Sequence, residues 1–155
     1  MQSNFVIPIK YIRDIKMKSN NHMVINEHQT IEGIQKSFNS IFPFLKLEFF
    51  NEDFGKRNSI EKKKMHVGNK NISYIQRIRK SGKVSISGDL TVGELERNLS
   101  KNYGLFAQVF RKSGNVWLET TVTDSWTLEQ QNEEGKNLAE HLKIDNENLD
   151  DHDVW

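Results

Sequence analysis

Two helix-period runs, each flanked by short strand-like runs, predict a two-layer α+β fold with a mostly antiparallel sheet and helices on one face. The first run places Ile31, Ile34, Phe38 and Phe42 on one stripe, opened by Thr30 and stopped by Pro43. The second places Val92, Leu95, Leu99 and Tyr103 on one stripe, opened by Thr91 and closed by Gly104. A third observation is an internal echo: Met23 and Val84, like Phe49 and Phe110, lie 61 positions apart, and both segments read strand, Thr, helix, breaker, strand. Only Ile25/Ile86, Thr30/Thr91 and Phe49/Phe110 are identical in this overlay. Two βαβ units obeying the same physics account for it as well as a duplication does. A split βαβ (ferredoxin-like) plan is preferred because it uses the N-terminal half. A β-grasp-like ββαββ plan for the C-terminal part is the alternative.

Taken in order, residues 5–15 alternate weakly, and Pro8 restricts them to an edge strand. Met23, Val24 and Ile25 form a short strand, and the Thr30 helix follows. Leu45, Leu47 and Phe49 alternate with Lys46 and Glu48, which predicts the next strand. Residues 51–71 are polar, charged and without a sustained period, and read as a mobile basic insertion. The tetrapeptide Arg-Lys-Ser-Gly then occurs twice, at 79–82 and 111–114, each time between strand-like runs. Ser-Gly between alternating runs signals a hairpin, so two hairpins with basic tips are expected around the Thr91 helix. Thr127 with Gln130 offers a capping box for a last helix, which Gly135 is expected to weaken or break. One domain over 1–144 and an acidic, disordered tail over 145–155 complete the reading.

The chain has 155 residues and no cysteine, which excludes disulfides and thiolate-bound metals. No apolar run is long enough for a spanning helix, and no signal peptide is recognisable, so a cytoplasmic protein is expected. Net charge is +1, but the charge is divided. Residues 56–83 hold ten Lys and Arg against Glu61 alone, whereas residues 124–155 hold ten acids against Lys136 and Lys143. A basic surface for polyanions with a competing acidic tail is one reading; two solvated flanks of an ordinary core is the plainer one.

The five histidines show no metal-ligand spacing, and no nucleophile motif or phosphate loop is present. Neither a cofactor nor a metal is therefore expected. The chain reads as a non-catalytic binding or interaction module for a protein or polyanionic partner. The alternatives are a nucleic-acid-binding protein using residues 56–83 and the hairpin tips, and a small enzyme without a recognisable motif. Candidate anion contacts are Arg77, Arg79, Lys80 and Lys83 at the first tip and Arg111 and Lys112 at the second. In residues 105–111 both parities are apolar, so the strand's second face needs a cover, from the C-terminal segment, another subunit or a ligand. Phe50, Phe106, Phe110 and Trp117 are the candidate contacts on that face. No membrane partner is expected.

Overall fold

The computed structural model describes residues 4, 6–11, 21–51, 65–66 and 68–150, with side chains to residue 144. Its strands are β1 (His22–Ile25), β2 (Leu45–Phe50), β3 (Met65–His66), β4 (Gly82–Ser85), β5 (Phe106–Ser113) and β6 (Val116–Glu119). Its helices are α1 (Ile31–Ile41), α2 (Val92–Tyr103) and α3 (Leu128–Asp150). Short 3₁₀ turns occupy Ile72–Tyr74 and Thr121–Thr123. The α+β class with antiparallel sheets is thus present. Among the described residues no helix is long and apolar enough to cross a membrane.

Both inner helices begin where their hydroxyl caps stand. Thr30 Oγ1 accepts the Gly33 N–H at 3.0 Å, and Thr91 Oγ1 accepts the Glu94 N–H at 3.2 Å. Glu94 Oε2 in turn accepts the Thr91 N–H at 2.9 Å, closing a capping box. The Thr91 backbone N–H, and then its hydroxyl, hold the Glu94 carboxyl below the usual carboxylate range. Thr91→Ala is expected to lower stability by about 1 kcal/mol. In the same variant the Glu94 titration should move back up. A urea midpoint unchanged from wild type would show that the box carries no stability.

The two strand–helix–strand segments pair with each other strand by strand, their first strands in one sheet and their second strands in another. β1 lies antiparallel to β4, and β2 lies antiparallel to β5 at the centre of a four-stranded sheet ordered β3-β2-β5-β6. Met23 pairs with Val84, its own counterpart 61 positions on, as a twofold relation requires. A similar backbone contact stands just before each helix cap, although its two donors are 56 rather than 61 positions apart. Ile72 N–H donates to Gln29 O at 2.8 Å, and Leu128 N–H donates to Leu90 O at 2.8 Å. In the β2–β5 pair the register differs by one residue from the sequence echo. Leu47 faces Val109, 62 positions apart, so Phe49 matches Arg111 in register rather than Phe110. One residue of slip reverses the side of a strand. Phe49 is buried in the core, whereas Phe110 lies half-buried on the opposite face.

The core joins both sheets to the helices. Met23, Ile25, Ile34, Phe38, Leu47, Phe49, Val84, Leu95, Leu99, Val109 and Leu128 form one buried cluster. Two polar side chains tie strand edges to the helices. Gln35 Nε2 donates to Leu47 O at 2.9 Å, and Glu96 Oε1 accepts the Val109 N–H at 3.0 Å. Each satisfies a backbone group that no neighbouring strand reaches.

Several expectations need correction. The first Arg-Lys-Ser-Gly is not a hairpin tip: Gly82 lies in β4, whose partner is β1, and the preceding apolar run contains a 3₁₀ turn. What Gly82 supplies is space, since an added Cβ would stand 2.7 Å from the Tyr103 hydroxyl. The second copy is a hairpin tip, with Gly114 at φ 59° between β5 and β6. Of the expected strand over 5–15, residues 9–11 form a helical turn; residues 5 and 12–15 lie outside the described residues. Within the expected loop over 51–71, Met65–His66 pair with Phe49 and Phe50 as β3; residues 52–64 and 67 lie outside the described residues. Helix α3 passes through Gly135 without a break. An added Cβ there would stand 2.8 Å from Phe44 Cβ, so close approach to the chain before β2 explains the glycine. The same helix extends to Asp150, into the expected tail, and residues 151–155 lie outside the described residues.

Candidate functional site

The central sheet has two faces because successive side chains alternate. Leu45, Leu47 and Phe49 with Ala107 and Val109 face the core. The register puts Lys46, Glu48, Phe50, Phe106, Gln108 and Phe110 on the other side, and β6 extends that side with Trp117 and Glu119 beside Lys112. Phe50 stands opposite Phe106, Lys46 opposite Phe110, and Lys112 opposite Trp117.

These pairs build a surface of rings and cations. The rings of Phe50 and Phe110 stack at 6.5 Å between centroids. Lys46 Nζ lies 5.2 Å from both the Phe110 and the Trp117 ring, and Lys112 Nζ lies 5.0 Å from Trp117. At the far edge the Arg77 guanidinium lies 4.8 Å from the Phe106 ring, held there by Nη2 donating to Asn51 O at 2.7 Å. Such cation–ring contacts are worth about 0.5–1 kcal/mol at exposed sites. Phe106, Phe110 and Trp117 are half-buried, whereas Phe50 is buried at 8% exposure and serves as the footing of the surface.

Two polar groups sit beneath the rings. Glu48 is 9% exposed, with Oε1 3.0 Å from Lys46 Nζ and Oε2 accepting from Gln35 Nε2 at 2.8 Å. Its cross-strand partner Gln108 is 3% exposed and donates through Nε2 to the Thr121 hydroxyl. Near Arg77, His66 shares a shallow cleft with Asn51. Burial, and then the Lys70 charge, hold its imidazole below its usual range.

The fold therefore gathers Arg77, Lys112, Phe50, Phe106, Phe110 and Trp117 on one surface and separates the remaining candidates from it. Arg111 has the opposite parity to Lys112. Its Nη1 donates to Gln131 Oε1 at 2.7 Å and its guanidinium lies 5.8 Å from the Trp126 ring, so it anchors α3 to β5. Gln131, fully buried, completes that anchor by donating to Thr123. Lys80 lies over the Tyr103 ring at 5.7 Å, Lys83 stands on β4 opposite Val24, and Arg79 lines an open cleft with Glu27 and Tyr74. With no hairpin at Gly82 there is no common tip to unite these three. Helix α3 packs on the core-side end of β5, as the Arg111 contacts show, so among the described side chains the C-terminal helix lies away from the aromatic face.

Lys46 is the residue that sequence reasoning missed. Its signal was available, because period-two alternation opposes it to Leu45 and Leu47 on the same side as Phe50. Among the described residues no group of three or more His, Asp or Glu side chains is placed to hold a metal ion. No protein-family model, curated protein or solved structure matches this chain.

Proposed function

We propose that this chain is a non-catalytic binding module whose β2–β5–β6 face takes a polyanionic partner with planar groups, namely single-stranded nucleic acid. The observation that supports this is the row of half-buried rings, Phe106, Phe110 and Trp117, with Arg77, Lys46 and Lys112 held at their faces. Bases stack on such rings, and the same cations meet the phosphates between them. Glu48 opposes this least where it stands, since its carboxylate is already engaged by Lys46 and Gln35.

Fluorescence anisotropy with a labelled single-stranded oligonucleotide, repeated over a salt series, tests the reading. Trp117→Ala is expected to weaken binding about 5- to 150-fold, the worth of one stacked base. Lys112→Glu should weaken it across all sequences and lower the salt slope by about one phosphate contact or more. Arg79→Glu, away from the face, should change affinity least. Undetectable binding at low salt, or equal loss in all three variants, would reject the assignment.

A further inference from the structure

Gln108 poses a separate question. Gln108 is 3% exposed, and its Nε2 donates to the Thr121 hydroxyl. Its Oε1 is buried without a hydrogen-bond partner among the described residues. A buried amide oxygen left unpaired is costly and rare, and it asks for a donor. The cross-strand Glu48 has both oxygens met, so the deficit is local to β5.

Beside Gln108 the sheet ends early. β6 pairs only with residues 110–113 of β5, and the Thr121–Thr123 turn then leads the chain away. Between α2 and the uncovered part of β5 lies a cleft of about 390 Å³. Phe106, Gln108 and Thr121 line it with Arg97, Lys101 and Asp124. Charge is arranged along its length. Asp124 sits at the start of α2, where its carbonyl accepts the Gly93 N–H at 2.8 Å. Arg97 and Lys101 follow on the same helix, one and two turns on, so the cleft runs over about 12 Å of helix rise. Glu96, also in the lining, already accepts from Val109. Arg97, Lys101 and Asp124 form no ion pair among the described residues.

We propose that this cleft binds a small zwitterion, a free α-amino acid or a dipeptide. The ligand carboxylate lies on Arg97 and Lys101, and its ammonium donates to Asp124 and, as the enclosed Gln108 side chain turns toward the cleft, to Gln108 Oε1. Its side chain rests along Phe106. A phosphate or sulfate fits less well, because it offers Gln108 no N–H donor and is repelled by Asp124. Gly93 keeps the opening clear: an added Cβ would stand 3.2 Å from Arg97 Nη1 and 3.4 Å from Asp124 O.

The test is a ¹⁵N-resolved NMR titration of the full chain with free amino acids and glycyl dipeptides, to about 10 mM, the weak end of specific binding. The expected result is saturable shifts at the Gln108 side-chain amide and the backbone of 93–101 and 121–124. Arg97→Ala is expected to weaken the best ligand about tenfold or more, the worth of a charge-assisted hydrogen bond. The N-acetylated form of that ligand, which lacks the ammonium, should fail to bind. Arg97 is exposed, and unchanged shifts in β1 and α1 would confirm that the variant is folded. The proposal is overturned if no ligand gives saturable shifts, or if inorganic phosphate or the N-acetylated ligand binds equally well. Both readings share Phe106, but Arg97 lies off the aromatic face, so Arg97→Ala should leave oligonucleotide affinity unchanged and separates the failure of one reading from that of the other.

Discussion

Gly104→Ala is expected to destabilise the domain by about 3 kcal/mol or more, a large part of the 5–15 kcal/mol that holds such domains together. Gly104 ends α2 in the left-handed region, at φ 60° and ψ 34°, with its N–H directed to the Leu99 and Ser100 carbonyls. That backbone alone costs an L side chain about 1 kcal/mol. Space is the larger obstacle. An added Cβ would lie 2.4 Å from Ile78 N and 2.9 Å from Arg77 N, and both are backbone atoms that cannot rotate away. The Arg77 N–H also donates to Gly104 O at 3.0 Å, so the two segments are locked together there. Chemical denaturation should show the loss. Because the same contact sets Arg77 over Phe106, oligonucleotide affinity should fall in whatever fraction stays folded. A wild-type midpoint would mean that residues 77–78 shift aside freely, contrary to this account.

Phe49→Ala is expected to cost about 3–5 kcal/mol, the usual range for a fully enclosed aromatic side chain. Phe49 has no exposed surface, and it lies in the middle of the β3-β2-β5 pairing, opposite Ala107 on one side and His66 on the other. Ala107 is too small to fill the space the ring would leave. Phe110→Ala is the informative comparison. Phe110 was the residue aligned with Phe49 by the sequence echo, yet it faces away from the core and is half-buried. It should cost much less stability and should instead weaken nucleic-acid binding. Equal stability losses in the two variants would contradict the register of β2 against β5.

The division between these two phenylalanines shows what kind of information a sequence carries. The limits of α1 and α2 and the start of α3 were legible because each depends on residues within one turn of one another. Thr30 and Thr91 cap through the third residue on, Thr127 accepts from Gln130 N–H while Gln130 returns a bond, and Gly104 closes its own helix. The β5–β6 hairpin was legible for the same reason, since Gly114 makes a local turn. The first Arg-Lys-Ser-Gly had the same letters and a different outcome. Its strand found β1, far away in the chain, and no short-range pattern specifies which distant edge a strand will meet.

The candidate surface divides along the same line. Alternation along β5 and β6 was enough to place Phe106, Phe110, Lys112 and Trp117 on one side, and the same rule separates Arg111 from Lys112. It would also have supplied Lys46. Arg77 belongs there only because Gly104 and Asn51 hold its segment at the sheet edge, a fact of packing. Gln108 reads in the sequence as an ordinary polar strand residue; its buried, half-satisfied amide exists because β6 stops short. By itself, then, the sequence determined α1 and α2, the threonine caps that open all three helices, the second hairpin and the core-facing side of β2, all set by interactions a few residues long. Strand partners, the one-residue offset between the units, the aromatic face and the cleft beside α2 were decided only in the tertiary structure, because each depends on segments that meet across many residues of chain.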